Sequence, residues 1–452
     1  MRHLTPASAK KVDQYTQMIS LPQLIHQFVN DLTGVRRVVL AVSGGVDSMV
    51  LLHATVGAQL PQPLLVVHVN HQLSPFAATW QAQVRDCCDS LGVDCVSMTV
   101  HVKAEGAGLE EAARQARYQA IERHLHPGDL VLMAHHQQDQ VETFFLRLTR
   151  GAGVRGLAGM APLRDWGFAR LGRPFLTIDR TVIDAYARHH GLSWVEDESN
   201  ANEHFDRNFL RLNVIPLLRR RWPKMPSQVG QAMDWLRESD NLLNEFADAD
   251  LLHCHPRRER LGVSMEMAPL LRWSAPRRHN LLRRWLALHG YRSPSRKRLA
   301  ELDSLFTARQ DQNPLLYWGD CELRRYRERV YCLPAGWQQP SPAPQSCATD
   351  ESLILGNSRV EWISASSGLR PGNYKVVARD LAPHAQRAHP MGRVHSQSLK
   401  KLLQEYGLEP WLRDQVPLIF QNERLVAVGD LWIEKSAAVE SGWVPVWSFA
   451  TP

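Results

Sequence analysis

Two short segments of this 452-residue sequence carry residue types that can do chemistry together. The first is Ser43-Gly44-Gly45-Val46-Asp47-Ser48, set between the apolar runs VVLAV (38–42) and MVLLHAT (49–55). Two glycines let a backbone turn tightly and approach a ligand without Cβ interference. A helix that follows such a turn presents unpaired N–H groups and its positive dipole end to an anion. Ser43 and Ser48 add hydroxyl donors, and Asp47 can hold a Mg²⁺ or orient a reacting group. No G-K-[ST] follows, so this is not the lysine-bearing loop of the commonest nucleotide hydrolases. The second segment is Ala134-His135-His136-Gln137-Gln138-Asp139-Gln140-Val141-Glu142-Thr143. On a helix, His135, Asp139 and Glu142 would fall at i, i+4 and i+7, in one stripe. Two carboxylates there suit an ammonium group, and a neighbouring histidine suits acid–base work near neutral pH.

Further candidates flank these two. His68-Val69-Asn70-His71 closes an apolar run and offers base or ribose contacts, or a purely structural histidine. In Glu110-Glu111-Ala112-Ala113-Arg114-Gln115-Ala116-Arg117-Tyr118, Arg114 and Arg117 are three apart and share a helix face with the glutamates. Either arginine can stabilise charge developing on a phosphate, or pair with a glutamate. Cys87 and Cys88 fall mid-helix, away from these segments.

The elements that must position these residues alternate. VVLAV, LLVVHV (64–69), CVSMTV (95–100) and LVLMAH (130–135) read as buried parallel strands, with helices over 48–56, 77–91 and 109–125 between them. That alternation predicts a doubly wound α/β sheet with ligands at the C-terminal strand ends. From about 208 apolar residues recur every three or four with Arg on the other faces, which predicts a helical middle. The Pro-, Gln- and Ser-rich stretch PAGWQQPSPAPQS (334–346) reads as a linker. A small α+β unit follows, with strands YKVVAR, LIF and RLVAVG and a helix over 396–406. The expected division is 1–222, 223–333, a linker over 334–350, and 351–452.

Composition narrows the class. No run of about 18 apolar residues is present, which predicts no transmembrane helix, and no leader pattern opens the chain. Seven cysteines without framework spacing or C-x-x-C argue against a disulfide scaffold or a structural zinc site. His253-Cys254-His255 lacks further ligands to converge on one ion. Net charge is +7, yet residues 251–300 hold twelve Arg/Lys against Glu259 and Glu266, a local excess of ten. Such an excess favours a polyanion, because neutralised phosphates release counterions.

S-G-G-x-D-S after a first strand resembles the PP-loop ATP pyrophosphatase superfamily, whose members split ATP into AMP and pyrophosphate. Within it the likeness is to the lysidine synthetase family. The residues that carry it are the loop, Glu111 to Tyr118, His135 to Thr143, and Arg150-Gly151-Ala152-Gly153-Val154-Arg155-Gly156-Leu157-Ala158-Gly159-Met160. Arg173-Pro174-Phe175-Leu176, Asp197-Glu198-Ser199-Asn200 with Arg207-Asn208, and the C-terminal GRVHSQSLKKLLQEYGLEPWLRDQVPLIF extend it over nearly the whole chain. Gln138 departs from the family, which usually has an acid there. The resemblance implies ATP with Mg²⁺, L-lysine and a CAU-anticodon tRNA(Ile) as partners; the lack of a leader pattern and of an apolar span predicts a cytoplasmic protein with no membrane partner, and a dimer is the candidate assembly. Ser43 to Ser48, His68 and Asn70 would hold ATP, with Mg²⁺ near Asp47. Arg114, Arg117 and His135 would serve the chemistry, and Asp139 and Glu142 would grip lysine. Arg207 and Asn208 would touch the anticodon loop or form a domain hinge, and Arg277, Arg278, Arg283 and Arg284 would hold tRNA. The competing readings are a PP-loop tRNA thiolase and a non-catalytic tRNA-binding protein.

Overall fold

The computed structural model describes residues 20–72, 74–101, 109–196, 198, 202–307 and 314–449. Its contacts divide the chain into two compact units, residues 1–241 and 242–452.

The first unit begins with α1 (Leu21–Asn30), whose Ser20 cap and Gln23 exchange the reciprocal bonds of a capping box. The sheet then forms from β1 (Arg37–Ala41), β2 (Leu64–Asn70), β3 (Asp94–Thr99), β4 (Asp129–Leu132) and the hairpin β5 (Leu163–Trp166) and β6 (Ala169–Gly172). Strand order is β3-β2-β1-β4-β6-β5, parallel throughout except for the edge strand β5. Successive residues of β1 point to opposite faces, and both faces are covered. Val38 and Leu40 pack with α1, with α2 (Val46–Gly57), with α3 (Ala77–Leu91) and with α6 (Arg180–His189). Val39 packs with Val67, Val131 and the Ile121 of α4 (Leu109–Glu122). Burying each such valine or leucine stabilises the fold by roughly 1.5–3 kcal/mol.

The topology places the site. The chain runs from β1 outward to β2 and β3, then returns to β4 on the other side of β1. The C-terminal ends of β1 and β4 therefore diverge, and a crevice opens between their loops. The phosphate loop leaves β1 there, and the segment 133–139 leaves β4 into α5 (Gln137–Thr149). The long α7 (Met225–His253) follows the helical turns of 206–221.

In the second unit, α8 (Ala275–Leu288) and the helix Arg296–Thr307 bury Leu281, Trp285, Leu286, Leu299 and Leu302 in one core. That core also contains Met265, Leu323 and Val330, from a five-stranded antiparallel sheet built of 257–258, 263–266, 315–318, 321–326 and 329–334. The helical periodicity does not announce this sheet: its strands are short, and Cys321–Tyr326 ends in polar residues. The Pro-rich stretch has no strand or helix over 335–344, and Gln345–Ala348 then forms an edge strand against Asn373–Ala378. The expected strands at 374–379, 418–420 and 424–429 and the helix within 396–406 all form. No helix among the described residues is long and apolar enough to cross a membrane.

Candidate active site

The loop after β1 is organised by one hydroxyl. Ser48 Oγ accepts from the amides of Ser43 (3.2 Å) and Gly44 (3.1 Å) and donates to the Gly45 carbonyl (2.9 Å). Its two glycines do different work. Gly44 sits at φ +96°, a conformation L-residues rarely adopt. Gly45 has an ordinary φ of −71° as the cap of α2, and a Cβ there would meet only Ser43 Oγ, at 3.8 Å. Its missing side chain thus leaves room above the loop. Val46 and Asp47, in the first turn of α2, have amides with no intrahelical acceptor.

A cavity of about 680 Å³ opens over this loop. Ser43, Gly45, Asp47, Ser48, His68, Asn70, His71, Arg117, His135, Asp139, Arg207, Asn208 and Arg211 all contribute to its wall. The structure therefore brings together residues from β1, β2, α4, the β4–α5 turn and the segment 206–214.

The α5 segment folds differently from a simple helical stripe. His136 is the N-cap of α5, and Asp139 at the third helical position bonds back to the His136 amide at 3.0 Å. His135 thus precedes the helix, and the i, i+4 relation to Asp139 does not hold. The His135 ring still reaches the cavity, where Nδ1 accepts from Arg173 Nε at 3.3 Å. Burial lowers its pKa to about 4, against the pull of Asp139 and with help from Arg173, Arg207 and Arg117. His135 is therefore neutral at physiological pH, with its proton on Nε2.

Asp139 and Glu142 share a face and converge on two arginines. Arg207 donates from Nε to Glu142 Oε2 (2.7 Å) and from Nη2 to Asp139 Oδ1 (2.8 Å). Arg211 grips Glu142 through Nε (2.6 Å) and Nη2 (2.9 Å). Glu142 is fully buried, at 0 % exposure, while Asp139 lines the cavity. Burial alone would raise the Asp139 carboxyl, but His136, Arg207 and His135 hold it at about 2. Arg207 and Arg211, four apart, share one face of a helical segment in which Leu210–Val214 is a π turn between two short α-helical pieces. Asn208 Nδ2 donates to the Asn202 carbonyl at 2.9 Å.

On the phosphate side, Asp47 Oδ2 accepts from Arg180 Nη1 at 2.9 Å. Burial raises the Asp47 pKa, although His136 and Arg180 pull it down. Arg117 opens to solvent through the cavity and donates to His71 Nε2 at 3.3 Å. Arg114 turns outward instead and pairs with Glu111 at 3.0 Å. His68 Nδ1 donates to the Val42 carbonyl at 2.9 Å, which leaves Nε2 as an acceptor. Asn70 is engaged in the β2–α3 turn, donating to Gln81 (3.0 Å) and accepting from the Gln72 amide (2.9 Å).

Three groups were not apparent from motif spacing: His136, Arg180 and Arg211. His136 stood beside a residue with a more obvious helical spacing. Arg180 lies 133 residues from the Asp47 it meets, and only its place as the first residue of a helix facing the sheet edge could have signalled it. The glycine-rich segment 150–160 lies outside the cavity wall as a structural lock. Gln140 pairs twice with Met160 (2.8 and 2.9 Å), and a Cβ on Gly159 would lie 1.7 Å from Met233 Cε. Asp197, Ser199 and Asn200 lie outside the described residues, as does the Glu110 side chain.

In the second unit Arg277 pairs with Asp250 (2.7 Å), Arg278 with Asp303 (3.0 Å) and Arg284 with Asp248 (2.7 Å). These acids fall just outside the basic window 251–300, so its charge is partly matched in the fold. Arg283 also interacts within the protein.

Residues 18–218 match a PP-loop domain, 266–331 a TilS substrate binding domain and 379–447 a TilS substrate C-terminal domain. A tRNA(Ile)-lysidine synthase of Alkalilimnicola ehrlichii is 41% identical over 415 residues, covering 89% of this chain and 92% of its own. One of Pectobacterium atrosepticum is 37% identical over 443 residues, covering 94% and 98%. A solved U34-tRNA thiolase of Methanococcus maripaludis aligns with 48% of this chain and 78% of its own, with a TM-score of 0.40 at 15% identity. With a nucleotide-binding PP-loop unit and near-complete relatives of one kind, the chain belongs to the tRNA(Ile)-lysidine synthase family.

Proposed function

We propose that the cavity of the first unit is where ATP, L-lysine and the wobble cytidine of a CAU-anticodon tRNA(Ile) meet. The observation that carries this is the single wall shared by the phosphate loop, Arg117 and Asp139. In the first step ATP adenylates the C2 oxygen of the cytidine and pyrophosphate leaves. In the second the lysine ε-amine attacks C2, gives up a proton, and AMP leaves.

The residues suit these steps. Free amides at the start of α2 and the Ser43 and Ser48 hydroxyls would bind the phosphates. His68 Nε2 would accept from the nucleotide, while Asn70 would shape the wall beside it. Arg117, with no carboxylate partner among the described residues, would stabilise charge on the reacting phosphoryl group. Arg114 could join it only by leaving Glu111. His135 would donate from Nε2. Asp139 would receive the lysine amine, which must take the place of a guanidinium there, while Glu142 would hold Arg207 and Arg211 from beneath. The target base must leave its stack to reach the cavity.

Asp47 fits a Mg²⁺ carried by the phosphates. Its buried Oδ1 has no hydrogen-bond partner, and Mg²⁺ is commonly held by one or two carboxylates together with substrate phosphates. When bound it would neutralise charge on the leaving pyrophosphate. Arg207 and Asn208 would meet the anticodon loop at the cavity mouth. Arg277, Arg278, Arg283 and Arg284, within the expected 223–333 segment, would contact tRNA phosphates together with the 351–452 segment.

The test is incubation with ATP, lysine and this tRNA, followed by mass analysis of its nucleosides. Added lysine with AMP formation is the expected result. Exchanged sulfur, or no AMP, would overturn it.

A further inference from the structure

His136 is 2 % exposed and touches both halves of the site. Its Nδ1 accepts from the Gln138 amide at 3.2 Å. Its Nε2 lies 3.6 Å from Asp47 Oδ1 and 3.6 Å from Asp139 Oδ2. Arg180 Nη1 is within hydrogen-bond reach of the same Nε2, at 3.4 Å, and also donates to the other oxygen of Asp47. One ring nitrogen thus stands equidistant between a carboxylate of the phosphate loop and a carboxylate of the amine side.

We propose that His136 is a positioning residue that ties Asp47 to Asp139 and so holds the nucleotide and the lysine in register for the second step. The imidazole does not touch the reacting atoms. It sets the separation of two carboxylates on the helices that follow β1 and β4, and a separation error of about 1 Å can cost roughly a hundredfold in rate. This rests on the reading of the cavity given above.

The two faces of the ring can be tested apart. His136→Asn keeps a good N-cap acceptor for the Gln138 amide but cannot reach the carboxylates. His136→Gln keeps a polar amide near the position of Nε2 but is a poor cap. The expected outcome for His136→Asn is a melting temperature within about 2 °C of the parent. Its KM values for ATP and for lysine should both rise, with turnover falling about tenfold or more. His136→Gln should melt lower and yet recover most of the turnover. If activity instead follows melting temperature across both variants, or if His136→Asn is fully active, the ring is only a cap and the proposal fails. Asp47→Asn and Asp139→Asn serve as controls. If the parent is active but neither control affects the ATP or the lysine KM, the assignment of the cavity is what fails.

Discussion

Asp139→Asn removes one negative charge and almost no volume. The Asp139 carboxyl is held at about 2 against an ordinary 3.8, chiefly by His136 and Arg207 working against its own burial. A difference of that size is worth about 2 kcal/mol of folding stability at neutral pH. Because the folded pKa is depressed, this contribution is complete above the unfolded value and is lost as pH falls from about 4 to about 2. At pH 7 the variant should therefore be about 2 kcal/mol less stable, or roughly 4–8 °C lower in melting temperature for a unit of this size. The gap should narrow as pH drops below 4. Urea titrations at pH 7, 5 and 3.5 measure it. Lysine-dependent product should fall by two orders of magnitude or more, while tRNA binding stays near that of the parent. Equal loss of tRNA binding and product would mean that Asp139 only holds the fold. A stability gap that ignores pH would refute the pairing as its source.

The two loop glycines should separate cleanly. Gly44→Ala, forced to φ +96°, should lose about 1–2 kcal/mol of stability. Gly45→Ala should fold within about 0.5 kcal/mol of the parent yet raise the ATP KM about tenfold or more, because its Cβ occupies ligand space. Arg211→Ala strips the bidentate partner from fully buried Glu142 and leaves it Arg207 and the Gln138 side-chain amide, which should cost about 2–4 kcal/mol in denaturant unfolding. Arg277→Ala should weaken tRNA binding across sequences and lower the slope of log affinity against log salt by about one, as measured by filter binding.

The α/β unit was legible because its strands are buried on both faces, so VVLAV and LLVVHV are continuous apolar runs, and because the glycine loop has a mechanical reason to sit between strand and helix. Asp139 and Glu142 were legible as one face of a helix. What spacing could not show is who opposes them. Arg207 and Arg211 arrive from more than sixty residues away, four apart on one helical segment and so on one face. The helical stripe was misleading for His135, since the cap at His136 starts the helix one residue too late. The basic window read as a free polyanion surface from composition, while Asp248, Asp250 and Asp303 sit just beyond its edges and fold back onto it. In the same region, strands of two to six residues carry too little alternation to stand out among stronger helical patterns.

The most direct measurement is a crystal structure of the protein soaked with a non-hydrolysable ATP analogue and L-lysine. The β- and γ-phosphates should lie on the amides at the start of α2, above Gly45, and the lysine side-chain nitrogen should lie within hydrogen-bond reach of Asp139, displacing a guanidinium. Phosphates bound elsewhere, or a lysine seated away from Asp139 with both arginines still in place, would contradict the account.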